Sequence, residues 1–101
     1  MAGFVYEFEW DPGKATANFN KHKVSFERAA EMFRDPLALT IPDEEHSGTE
    51  VRWVTLGKDS AGKYVLAVHT FMQLSDEIGR VRLISARPPT RAEVHDYEEQ
   101  R

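Results

Sequence analysis

In the segment WDPGKATANFNKH (residues 10–22), Lys14, Asn18 and Lys21 stand at i, i+4 and i+7, and His22 follows directly. On a helix those three share one face, with the imidazole at its rim. Two ammonium groups flanking an amide, with a titratable ring at the end, suit a polyanion such as RNA. Arg52, Arg87 and Arg91 add guanidinium groups further along the chain, and arginine suits bidentate phosphate contact. Metal-independent RNA cleavage needs a base for the 2′-hydroxyl, cations for the phosphate and an acid for the leaving 5′-oxygen. Acid–base groups each supply roughly 10²–10⁴ in rate, and preorganised cations a comparable factor. The 2′-hydroxyl is the nucleophile, so a chain without cysteine lacks nothing for this chemistry.

Each of these residues also has a plain structural reading. His22 is the acid–base candidate because imidazole as a side-chain type exchanges protons near neutral pH, yet it is three residues from Phe19 and sits where a helix C-terminus favours any cation. Lys14 and Lys21 can be the solvated face of an amphipathic helix. Asn18 is a mediocre helix former, which suggests that its amide holds something. Arg52 shares a strand face with Val54 and Leu56. In RVRLISAR (80–87), strict alternation puts Val81, Leu83, Ser85 and Arg87 on one face, so Arg87 projects at the strand end, toward phosphate or toward Glu93 or Asp11. Arg91 is poorly placed for a helix dipole. The expected site is therefore Lys21, His22, Arg52 and Arg87 for catalysis and Lys14, Asn18 and Arg91 for RNA binding, all converging in one pocket. His46, His69 and His95 show no metal-ligand spacing, and no metal or cofactor is expected. Trp10 and Trp53 read as core residues.

The elements that must position these groups are legible in outline. Residues 4–10 (FVYEFEW) alternate as a strand with one buried face. Asp11-Pro12 caps and starts a helix reaching about Lys23, expected to bury Ala15, Phe19 and His22. Ser25 caps a second helix with Phe26, Ala29, Ala30 and Phe33 on one face; Asp35-Pro36 ends it. Strands follow over 37–42, 51–57, 63–72 and 80–87. Between them lie a polar turn over 44–49, a hairpin turn at Asp59-Ser60-Ala61-Gly62 and a turn over 75–79. Thr90 and Glu93 have capping-box spacing for a last helix over about 91–100. Strands joined by short turns imply an α+β domain spanning 1–101: an antiparallel sheet with two N-terminal helices and one C-terminal helix packed on it.

Composition sets the limits. The chain has 101 residues, a net charge of −4, 41% hydrophobic residues and no cysteine, which reads as one soluble domain without disulfides or thiolate metal sites. No apolar run reaches the ~20 residues of a membrane helix, and no secretory signal opens the chain, so a cytoplasmic protein is expected. The acidic balance argues against a general nucleic-acid coating protein. Residues 12–34 nonetheless carry Lys14, Lys21, Lys23, Arg28 and Arg34 against Glu27 and Glu31, and local fields within ~10 Å govern binding at physiological salt.

Phe8-Glu9-Trp10-Asp11-Pro12, Lys14, Asn18, Lys21-His22, Val24-Ser25-Phe26, Phe33 and Asp35-Pro36 form an ordered set. It continues with Arg52-Trp53, Gly57 and Ile84-Ser85-Ala86-Arg87 ahead of Thr90, Glu93 and Tyr97. This set resembles the BrnT family of bacterial toxins. The resemblance implies a RelE-like fold and endoribonuclease activity that arrests translation. It also implies neutralisation by a cognate BrnA-like antitoxin of ribbon-helix-helix type, with DNA contacted only through that antitoxin. A binding module of the same fold without catalysis, and a small α+β adaptor, are the alternatives that the residues leave open.

Overall fold

A computed structural model describes residues 3–46, 48 and 50–100. In chain order it contains β1 (Val5–Glu9), α1 (Pro12–His22), α2 (Phe26–Met32), β2 (Leu39–Pro42), a short 3₁₀ turn (Glu44–His46), β3 (Trp53–Lys58), β4 (Tyr64–Gln73), β5 (Ile78–Arg87) and α3 (Arg91–Glu99). Ser47 and Thr49 of the expected polar turn lie outside the described residues.

The helix caps arise from the residues expected to form them. The Asp11 carboxylate accepts the Gly13 N–H, and Pro12 occupies the first turn of α1, where its missing N–H costs nothing. Lys23 closes α1 in the left-handed conformation at φ 61°, its N–H donating to the Phe19 carbonyl at 2.8 Å. The Ser25 hydroxyl accepts the Arg28 N–H and starts α2. Thr90 and Glu93 close a reciprocal capping box at α3. At the β3–β4 hairpin the Asp59 carboxylate accepts the N–H groups of Ala61 and Lys63, each at 2.9 Å, and pairs with Arg28 Nε at 2.8 Å. Gly62 supplies the positive φ of 79° that this turn needs.

The five strands form one sheet in the order β1-β5-β4-β3-β2. Three pairings are antiparallel, but β1 runs parallel to β5, from Val5 opposite Ile78 to Glu9 opposite Arg82. The sheet is therefore mixed, which corrects the all-antiparallel expectation. Alternation in residues 4–10 fixes which face is buried; it carries no information about which strand, seventy residues away, will be the neighbour or in which direction.

Each face of the sheet has its own core. On one face, Phe26, Ala29 and Met32 of α2 pack with Val24 on Val65, Ala67, Val81, Leu83 and Ala86. On the other, Tyr97 of α3 covers Leu56 and Leu66. Asp35 ties the layers together. Its carboxylate accepts the Tyr97 hydroxyl at 2.6 Å, the Lys58 N–H at 2.8 Å and the Leu37 N–H at 2.9 Å. Burial opposes ionisation of Asp35, but these hydrogen bonds and the Lys58 charge outweigh it and hold the carboxyl below its usual range.

Candidate functional site

The placement of α1 starts from an open sheet edge. β1 follows β5 only as far as Arg82, so the outward backbone groups of Ala86 have no strand beside them. Asn18 fills that position. Its Oδ1 accepts the Ala86 N–H at 3.1 Å, and its Nδ2 donates to the Ala86 carbonyl at 2.9 Å and to the Val24 carbonyl at 3.1 Å. The carboxamide has the donor and acceptor of a peptide group and continues the ladder in place of a strand. Asn18 is 8% exposed. This corrects the expectation that its amide faces RNA: both Nδ2 hydrogens are committed inside the fold. Helix burial changes with it, since Asn18 is buried while Phe19 is 46% exposed.

With Asn18 fixed at Ala86, Lys21 and His22 lie one turn beyond, at i+3 and i+4. Lys21 is exposed and His22 half-buried. Both occupy the last turn of α1, where helix carbonyls favour positive charge. Lys23 Nζ lies 5.8 Å from the Phe19 ring centroid. Lys14 is exposed in the first turn, two turns back from Lys21.

A bulge in β5 decides where Arg87 points. Val68 pairs with Ser85 but His69 pairs with Leu83, so Ile84 is the extra residue. Strict alternation expects Val81, Leu83, Ser85 and Arg87 on one face. Instead Val81, Leu83 and Ala86 share the α2 face, and Ser85 and Arg87 turn to the α3 face. There the Arg87 guanidinium meets Glu93 through two hydrogen bonds of 2.9 Å and also donates to the Pro88 carbonyl. Of the partners left open by the sequence, the structure selects Glu93. The hydrogen bonds that Arg87 donates to Glu93 raise the Arg87 pKa further and hold the Glu93 carboxyl below its usual range. Arg91 opens α3 and is exposed.

Lys21 and His22, on the helix that Asn18 docks at Ala86, and Arg87 and Arg91, which follow Ala86 in the chain, thus come from α1, β5 and α3 around the C-terminal end of β5. Arg52 does not join them. Arg87 is level with Leu66, and Leu66 with Leu56. Arg52 therefore lies about 13 Å back along the strand direction and two strands across, at ~3.3 Å per residue and ~4.8 Å per strand. The expectation of one pocket for all four catalytic candidates is corrected accordingly: the strand register separates Arg52 from Arg87.

A second cluster escaped the sequence reading. His69, 2% exposed, lies on β4 facing α2. Its Nδ1 donates to the Thr70 carbonyl at 3.0 Å, and its Nε2 is 2.7 Å from the Thr55 hydroxyl, which is 2.8 Å from the Thr40 hydroxyl. Burial pushes the His69 pKa down, only partly offset by the bond to Thr70. The Phe33 ring packs edge-on, 5.0 Å from the imidazole. A cavity of about 250 Å³ opens here, lined by Tyr6, Phe33, Thr40, Trp53, His69 and Phe71. A wider groove of about 650 Å³ adjoins it, sharing Tyr6 and Phe33 and adding Phe8, Trp10 and Arg34. The alternation of Phe4, Tyr6, Phe8 and Trp10 was the available signal, but it reads equally as core. Among the described residues, no three His, Cys, Asp or Glu side chains cluster as a metal site.

Residues 10–93 match the model of the ribonuclease toxin BrnT of type II toxin–antitoxin systems. The chain belongs to the BrnT family. The match takes in α1 with Lys14, Lys21 and His22, the whole β2–β5 region, and Arg87, Arg91 and Glu93. Among solved structures, the ribonuclease toxin BrnT of Brucella abortus superposes with a TM-score of 0.56 at 16% identity, covering 90% of this chain and 100% of that one. At that identity the likeness is one of fold. No curated protein matches the chain significantly. Among the described residues no helix is long and apolar enough to cross a membrane.

Proposed function

We propose that this BrnT-family chain, acting as a single toxin domain, is an endoribonuclease that cleaves RNA at the cationic end of its sheet and so arrests translation. The observation that carries this reading is the family match over residues 10–93. The docking of α1, which carries Lys21 and His22, beside the strand that carries Arg87 supports it. In this mechanism the substrate 2′-hydroxyl attacks the adjacent phosphorus, the P–O5′ bond breaks, and a 2′,3′-cyclic phosphate and a free 5′-hydroxyl result. His22 transfers the proton, since an imidazole works as base and acid near neutral pH. Lys21 and Arg87 neutralise the charge growing on the phosphate, and Lys14 and Arg91 extend the phosphate path. Arg52, distant from this centre, takes no part in proton transfer. These steps need an acid, a base and fixed cations, all of which the chain can supply. The RelE-like fold, the cytoplasmic setting and a BrnA-like ribbon-helix-helix antitoxin, which alone contacts DNA, belong to the same reading.

One observation favours a second reading. Glu93 already neutralises Arg87 through two hydrogen bonds, so the surface can serve as an antitoxin-binding face without catalysis. Incubating purified protein with bulk RNA in EDTA separates the two. The nuclease reading expects degradation that is lost in Lys21→Ala/His22→Ala; intact RNA beside well-folded wild-type protein favours the binding module.

A further inference from the structure

The hydrogen-bond chain behind the 250 Å³ cavity has only one possible direction. A carbonyl oxygen can only accept, so the Thr70 carbonyl fixes the proton of His69 on Nδ1. Enclosed by Phe33 and the sheet, His69 is neutral, and its Nε2 is left as an acceptor. Thr55 must donate its single hydroxyl proton to Nε2. Having spent it, Thr55 can only accept from Thr40. Thr40 therefore spends its own proton inward. Thr40 is exposed and lines the cavity, so its hydroxyl shows the cavity lone pairs and no donor.

The walls define the shape of a fitting ligand. Tyr6, Phe33, Trp53 and Phe71 present aromatic surface around this polar point. The Phe71 ring lies close against Gly79, where a Cβ would collide with it. A peptide helix about 10 Å across is too wide for this volume; a flat heteroaromatic ring is suited to it. Single-stranded RNA offers such rings, splayed out and stacked on aromatic side chains.

We infer that this cavity is a nucleobase subsite whose selectivity is set by Thr40, which accepts a hydrogen bond from an exocyclic amino group. The inference rests on the RNA-cleaving reading above and adds a base preference to it. Cytosine offers an amino group at N4. Uracil offers a carbonyl at that position, and its one N–H is recessed between two carbonyl oxygens whose lone pairs would oppose those of Thr40. A cytosine-containing strand is preferred over its uracil counterpart by roughly 5- to 10-fold, the scale of one net hydrogen bond.

The test uses hexamers of 2′-O-methyl cytidine and 2′-O-methyl uridine, which cannot be cleaved because the nucleophile is blocked. Affinity is measured by fluorescence anisotropy, and the Trp53 indole N–H resonance is followed by NMR. The cytidine hexamer is expected to bind more tightly and to shift the Trp53 resonance. Thr40→Val removes the preference by weakening the cytidine hexamer alone, and Thr40→Ser restores it. Equal binding of the two hexamers, a preference that survives Thr40→Val, or binding that leaves Trp53 unmoved overturns the subsite while leaving the nuclease reading in place. Failure of both hexamers to bind overturns the subsite and the RNA reading together.

Discussion

Asn18 and Ala86, 68 residues apart, are joined by two hydrogen bonds in the pattern of neighbouring β-strands. One side chain thereby docks the basic helix against the strand that carries Arg87. Asn18→Ala leaves the Ala86 N–H and the carbonyls of Ala86 and Val24 without their partner inside the fold. A buried unsatisfied group costs about 1–3 kcal/mol, and partial relaxation limits the expected total to about 2–4 kcal/mol. Urea unfolding should show a lower midpoint with an unchanged slope. A wild-type midpoint would mean that α1 is held by other contacts.

His69 makes stability depend on pH near neutrality. Its folded pKa lies below the ordinary value of 6.5 because burial penalises the charged form. The unfolded state then binds more protons, so stability is full above about pH 6.5 and falls as the pH drops toward the folded pKa. Thermal unfolding between pH 7.5 and 5 should show this decline in wild type and a flatter profile in His69→Gln.

The Arg87–Glu93 pair acts at lower pH. Glu93 titrates below its ordinary value of 4.5, so its contribution is present above that value and lost as the pH falls through the depressed pKa. The pair is about one-third exposed, and screening limits it to about 1 kcal/mol. Glu93→Gln should lower stability by that amount at pH 7 and converge with wild type once the pH has fallen through the depressed Glu93 pKa. If Arg87 serves phosphate, the same variant frees its guanidinium and strengthens RNA binding.

Tyr97→Phe tests the link between layers. It removes the 2.6 Å donor to Asp35 and should cost about 1.5–3 kcal/mol, as expected for a hydrogen bond to a charged group. The acid limb of the stability profile should also move upward as the Asp35 pKa returns toward normal.

The sequence was informative where the physics is local. Asp11-Pro12, Ser25 and the Thr90/Glu93 pair cap the helices expected of them, and alternation, apolar runs and turn residues together placed the strands to within two residues. It misled where long-range register decides. Nothing in RVRLISAR marks Ile84 as a bulge, since the segment holds neither glycine nor proline, yet that one residue turns Arg87 to the opposite face. The parallel partner of β1 and the distance of Arg52 are likewise properties of strand order. Asn18 stood out as an unsuitable helix residue; its actual partner, the unpaired edge at Ala86, becomes apparent only when β1 is seen to stop at Arg82. His69 looked like an ordinary strand residue because its two threonine partners lie on other strands.

The central claim is that cations of α1 and α3, carried by helices at the C-terminal end of β5, hold the RNA that is cut. Lys21→Ala/Arg91→Ala changes two exposed side chains and should leave the unfolding midpoint within ~0.5 kcal/mol of wild type. RNA cleavage in EDTA, measured as initial rate on one labelled substrate, should fall by roughly 10²-fold. An undiminished rate in this folded variant would place the nuclease centre elsewhere on the molecule and contradict the account.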